Sequence, residues 1–207
     1  MATQTRILVL APGLAAPAPL ALSAGAGESI DIRVLVFPEV SANVDIKVDL
    51  TGEGASLNIS GFYLCGAAEN VAIRTEVNHR VPRCRSNQVI NGVAGGQAKV
   101  AFYGKIVVAP DAVGTEAFQT NRNLLLSDAA VIDTKPQLEI YADDVQCSHG
   151  ATVGKLDEME LFYMRSRGVP LKEARIMQIY SFLSPALAGM EEADKYSALL
   201  EEALRKI

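Results

Sequence analysis

Tryptophan is missing from this 207-residue chain, and aromatic residues make up only 6% of it. Surfaces that act on polysaccharides stack sugar rings on aromatic platforms, so a carbohydrate-active enzyme is disfavoured. An excess of positive charge is missing too: the formal net charge is −5. Binding to nucleic acid requires a basic field. The one local cluster, Arg74, Arg80, Arg83 and Arg85, has no aromatics between its members and reads as a solvated strand edge. No uninterrupted apolar run approaches the roughly 20 residues that span a bilayer, which points away from a membrane partner. The most apolar stretch, Ile7 to Gly27, follows a single arginine and is broken by Pro12, Pro17 and Pro19. It is read as a first extended segment, not a secretory leader. Cysteine is sparse: Cys65, Cys84 and Cys147 are odd in number and widely spaced. That excludes a secreted disulfide framework and suits a reducing, cytoplasmic compartment. HExxH, GxSxG and paired CxxC motifs are all lacking. Gly95-Gly96 has neither the lysine nor the helix start of a phosphate loop and is read as a turn. No catalytic constellation is visible, and the expectation is that the chain is not an enzyme.

What the chain does have is short-period alternation. Ile30, Ile32, Val34 and Val36 fall on one side of an extended run, as do Val44, Ile46, Val48 and Leu50 in the next. Gly52-Glu53-Gly54 makes a turn. Leu57 and Ile59 follow, with Gly61 and Gly66 as punctuation. A third run carries Val71, Ile73, Thr75, Val77, His79 and Val81 on one face. Val100 with Phe102 and Ile106 with Val108 read as two runs split by Gly104, and Leu138 and Ile140 close the series. Strands this closely spaced imply an all-β barrel, sandwich or solenoid. Asn91-Gly92 is the one strong two-residue hairpin signal, too few for a meander. The inward set is aliphatic and small, which favours a coil of stacked parallel turns, although no strict repeat length is visible.

The last quarter changes period. Asp157 is placed to cap a helix over EMELFYMRSR, with Glu158 and Glu160 near its start, Arg165 and Arg167 near its end and Gly168 as its stop. Pro170 then begins a second helix, with Leu171, Ala174, Met177 and Ile179 to Leu183 as its apolar stripe. Ser184-Pro185 opens a short helix that Gly189 ends, and a final helix runs from about Glu191. The reading is an all-β core over 1–152 and a small helical domain over 153–207.

Cys147 and His149 lie at the changeover. Two residues apart on a strand, they project to the same face. Thiolate and imidazole suit zinc, iron or an iron–sulfur cluster, but two ligands do not complete a site. By composition alone the plainer reading is a buried thiol with a hydrogen-bonded histidine at a layer junction; a Cys–His nucleophile ranks last, because i, i+2 geometry holds the two tips apart. His79 sits on an apolar face and reads as a satisfied core residue. Asp143-Asp144 reads as a turn or bulge. Asn121-Arg122-Asn123 either ladders along the coil or binds loop carbonyls.

The stretch NRNLLLSDAAVIDTKPQLEIYADDVQCSHGATVGKLDEMELFYMRSRG resembles the SufB/SufD family of iron–sulfur cluster assembly proteins, and within it the SufD type. A looser likeness runs back through KVAFYGKIVVAPDA (Lys99 to Ala112) and TEVNHRV. The resemblance implies a right-handed parallel β-helix followed by a small helical domain. It also implies a scaffold role: pairing with a SufB-like subunit, or with a second copy, through the β-helix, and docking of a SufC-like ABC ATPase through the C-terminal helices. On this chain the family's iron or cluster handling falls to His149, with Cys147 beside it. Any iron or cluster is expected to be transient and shared with the partner, not tightly held by the isolated chain. ATPase docking falls to the region of Arg165, Arg167, Leu171, Ile179, Phe182 and Leu183. Typical members are about twice as long and begin with a helical region, so this chain resembles either a short form lacking that region or a fragment. A structural adaptor that binds proteins but no metal is the alternative.

Overall fold

The structure, a computed structural model, describes residues 3–207. Among them, eleven strands alternate between two sheets: β1 (Thr3–Leu10), β2 (Leu20–Ala24), β3 (Ser29–Val36), β4 (Ala42–Leu50), β5 (Ser56–Cys65), β6 (Asn70–His79), β7 (Arg85–Ala94), β8 (Lys99–Val108), β9 (Glu116–Leu125), β10 (Val131–Ile140) and β11 (Gln146–Gly154). The odd strands form one sheet in the order β1-β3-β5-β7-β9-β11, and the even strands form the other, from β2 to β10. Every pairing is parallel. A chain that visits the two sheets by turns and always returns parallel to its previous pass is a coil. The fold is a parallel β-solenoid of about five turns.

Ser29, Ser56, Arg85, Glu116 and Gln146 occupy one register position on successive rungs. The interval between rungs drifts from 27 residues at Ser29–Ser56 to 31 at Arg85–Glu116, because corner loops vary while strand registers hold. That drift is why no repeat length stands out in the sequence.

The alternating aliphatics fill the lumen: Ile30, Ile32, Val34, Val44, Ile46, Val48, Leu57, Ile59, Val71, Ile73 and Val77 belong to one buried cluster. Two glycine readings need correction. Asn91-Gly92 is not a turn but the interior of β7, and Gly104 does not split a run but lies within β8. Both glycines face the lumen at close approaches. A Cβ on Gly92 would overlap the Tyr63 ring, and one on Gly104 would overlap the Gln119 carboxamide. Glycine here makes room for a large neighbour on another strand.

Outer faces are solvated and laced by ion pairs between rungs. Arg74 pairs with Asp45 at 3.4 Å, Arg80 with Asp49 at 3.0 Å, Arg85 with Glu116 at 2.9 Å, and Arg83 with Glu53. The basic cluster is therefore neutralised residue by residue.

One outer face is covered instead. Leu35, Phe37, Phe62, Leu64 and Val93 project outward from β3, β5 and β7 and from the loop after β3. They pack beneath α2 (Leu171–Leu183), the 3₁₀ turn Ser184–Leu187 and α3 (Ala193–Lys206) through Ile179, Leu183, Leu187, Tyr196, Leu200 and Leu204. This second core explains why the Val-Leu-Val-Phe end of IDIRVLVF is apolar on both faces. Arg33 pins the turn to the sheet. It donates to Ser60 Oγ at 2.7 Å and to the carbonyls of Ala186 and Ala188 at 3.1 and 3.2 Å. Asn91 donates to the Phe182 carbonyl at 2.8 Å. β11 ends at Gly154 and α1 (Glu158–Ser166) follows, so the change of architecture falls in a three-residue link.

Candidate functional site

The coil's last turn is exposed. Among the described residues, β11 bonds to β9 on one side and to no strand on the other, and β10 likewise bonds only to β8. Nothing in Gln146–Gly154 is charged, and no proline interrupts it. Proteins usually blunt such an edge with charge, proline or a cover.

Cys147 and His149 lie on β11 with their side chains toward the lumen side, in register with Ala117 and Gln119 of β9. No sixth turn closes over them. His149 is exposed and makes no side-chain hydrogen bond among the described residues, and Cys147 is half-buried. Partial burial pushes the Cys147 thiol up from its ordinary value, against a smaller downward pull from the Ala117 backbone. The thiol is therefore protonated at neutral pH and is a poor nucleophile. A metal ion would have to displace that proton on binding. Among the described residues, no group of three or more His, Cys, Asp or Glu side chains is arranged to hold a metal. The pair offers two donors on an open edge and no more.

The other candidates are interior. Burial pushes Cys65 up to about 12 and raises Cys84 as well, so both thiols are inert. His79 is fully buried, its Nε2 lies 2.8 Å from Ser86 Oγ, and burial depresses it to about 4. It is a neutral core residue.

The supports of β11 come from the Asn-Arg-Asn segment. Asn121 and Asn123 face the lumen and are buried, whereas Arg122 points out. Asn123 Nδ2 donates to the Thr152 carbonyl at 3.0 Å and to Asn121 Oδ1 at 2.7 Å. Asn121 Oδ1 also accepts from Thr134 at 2.8 Å, and Asn121 Nδ2 donates to the Ile90 carbonyl at 3.0 Å. Tyr63 completes the network through its hydroxyl on Asn123. These polar groups tie the exposed strand to three inner strands. Their signal in the sequence was alternation of asparagine where aliphatics alternate elsewhere.

On the helical side, Asp157 caps α1 by accepting from the backbone of Met159 at 2.8 Å and Glu160 at 3.1 Å. Gly168, with φ of +88°, ends it, and Val169 N–H reaches back to the Met164 carbonyl at 3.1 Å. Pro170 precedes α2 as its extended cap residue instead of opening the helix. Of the residues expected to dock a partner, Arg165, Arg167 and Leu171 face solvent. Ile179 and Leu183 do not: at 5% and 0% exposure they belong to the core against the sheet, where the apolar stripe of α2 is spent. Phe182 is half-buried in the same cluster. The exposed apolar surface lies elsewhere, on Met159, Phe162, Tyr163 and Met177, with Arg167 stacked 5.1 Å over the Tyr163 ring. Sequence reasoning missed this surface because α1 was read as a charge-ordered helix.

Fold and site together define a β-solenoid with an unpaired terminal strand that presents a thiol and an imidazole, and with a helical unit clasped to one outer face. Residues 24–182 match the family model described as SUF system FeS cluster assembly, SufBD core domain. The chain belongs to the SufBD family. It is 40% identical over 161 residues to the iron–sulfur cluster assembly protein SufD of Escherichia coli, covering 78% of this chain and 37% of that one. It is 31% identical to a SufBD family iron–sulfur cluster assembly protein of Mycobacterium tuberculosis, covering 76% and 42%. To the chloroplastic protein ABCI7 of Arabidopsis thaliana it is 34% identical, covering 69% and 30%. The chain spans about two fifths or less of the length of these curated relatives. No helix among the described residues is long and apolar enough to cross a membrane.

Proposed function

We propose that this chain is a non-catalytic scaffold subunit for cytoplasmic iron–sulfur cluster assembly. It pairs through the open end of its coil and docks an ABC-type ATPase through its C-terminal helices. The observation that carries this reading is β11: nine uncharged residues on an unpaired edge, with His149 and Cys147 among them. An edge of this kind gains backbone hydrogen bonds by adding a strand from another chain. The strand belongs to a SufB-like subunit or to a second copy. Pairing brings the two lone donors against a second surface, which supplies the remaining ligands. Iron or a nascent cluster is then cargo shared across the interface, held only while the pair is assembled.

The second surface is the Met159, Phe162, Tyr163 and Met177 patch, rimmed by Arg165 and Arg167. Flexible methionines and aromatics beside cations suit a protein partner. That partner is the ATPase. Its nucleotide-driven movement would be passed through Arg33 and the second core to the sheet that ends in β11.

Charging the edge tests the pairing. Ser148→Lys with Thr152→Lys alters two exposed positions and leaves the lumen intact. The double variant is expected to lose pairing in sedimentation experiments with no change in melting temperature. Undiminished pairing would place the interface elsewhere. A pair that forms normally but carries no iron after anaerobic purification would favour the metal-free adaptor.

A further inference from the structure

The lumen is aliphatic in its first turns and becomes polar toward the open end, where one column differs from its neighbours. In the odd sheet, Ile59, Gln88, Gln119 and His149 are register partners on β5, β7, β9 and β11. In the even sheet, Ile46, Thr75, Gly104 and Pro136 are register partners on β4, β6, β8 and β10. The Gln119 carboxamide reaches across to Gly104, which fixes how the two columns face. Register then sets Ile46 opposite Ile59, Thr75 opposite Gln88 and Pro136 opposite His149. The column is blind at the isoleucine pair and ends at the exposed imidazole.

Its polar atoms lack partners. Thr75 Oγ1 and both amide atoms of Gln88 and of Gln119 make no hydrogen bond among the described residues, at exposures of 1%, 1% and 2%. The neighbouring column of the same turns behaves differently, since Asn121, Asn123 and Thr134 are bonded to one another and to backbone. Five adjacent unpartnered polar atoms would forfeit more stability than a domain can spare, so they must meet partners. The ligand that enters a closed core and serves donors and acceptors alike is water.

We infer that the last turns of the lumen form a water-binding site: a file of ordered water molecules held by Thr75, Gln88 and Gln119 and running beneath His149. The file gives the imidazole a hydrogen-bonding partner from inside the coil, one that persists when its outer side is covered. This inference goes beyond the scaffold reading and requires neither metal nor partner.

The isolated chain tests it by nuclear magnetic resonance. Cross-relaxation between bulk water and the Nε2 protons of Gln88 and Gln119 is expected to show long-lived internal water. Its absence from both amides would overturn the inference. The variant Gln88→Leu with Gln119→Leu removes four of the five anchoring atoms at similar volume. It is expected to melt a few degrees lower, because the remaining waters lose their partners. An unchanged or higher melting temperature would mean that the amides sit in a dry core, and the inference fails. At fixed pH, Gln119→Leu is expected to move the His149 ring resonances, whereas the outer-face control Asn87→Ala leaves them in place. Unmoved His149 signals would cut the file off from the imidazole and overturn that part.

Discussion

His79 shows how much one buried side chain can set. Its ring packs inside the coil against Ser86, and burial holds it neutral down to about pH 4. The unfolded chain takes up that proton near the ordinary histidine value of about 6.5. The folded value is the lower of the two, so the stabilisation is complete above about pH 6.5 and is lost progressively as pH falls toward 4. Between pH 7 and 5, above most carboxylate titration, this amounts to about 2 kcal/mol. Urea unfolding at pH 7, 6 and 5 should show that decline in the wild type and a flatter profile in His79→Leu. Equal slopes would mean that the ring is hydrated or charged in the fold. His149 carries the same side chain in an opposite setting, exposed on the last strand and free of side-chain partners. Position in the coil, and not residue type, separates the structural histidine from the candidate ligand.

At the scale of elements, the coil depends on matched occupancy between turns. Gly92 lies on the rung next to Tyr63 and yields it the space that the ring fills. Gly92→Ala forces that ring to move in a packed lumen and is expected to cost about 1–3 kcal/mol. Tyr63→Leu in the same chain should recover part of the loss, and thermal melts of the single and double variants measure the coupling. Additive losses would mean that the two residues do not compete for the same space. This pairing also shows where sequence reading stopped. Inward strand faces such as Val44-Ile46-Val48-Leu50 were legible from alternation, and so were the Asp157 cap and the Gly168 stop, because each rests on local geometry. Asn91-Gly92 and Gly104 were misread as breaks because their glycines answer to side chains on other strands, Tyr63 and Gln119. Cys147 and His149 stood out by their spacing and donor chemistry, and the SufBD resemblance supplied the role expected of them. The burial of Ile179 and Leu183 was not legible, because nothing local says which face of α2 meets the sheet.

At the scale of the whole molecule, two surfaces of different kinds matter to this account: the uncharged edge at β11 and the apolar patch on α1 and α2. Arg33, Asn91 and the second core connect them, so the helical unit is braced against the sheet that β11 ends. Phe162→Asp changes only the exposed patch. It should abolish co-purification with the ATPase while leaving pairing and melting temperature unaltered, and retained co-purification would remove the patch from the interface. The measurement closest to the central claim is iron and acid-labile sulfide in the anaerobically purified pair, wild type against His149→Ala. The substituted side chain is exposed and supports no packing, so pairing and melting temperature are predicted to stay the same while iron and sulfide fall several-fold. Equal iron and sulfide in the two complexes would contradict the assignment of β11 as the shared assembly site.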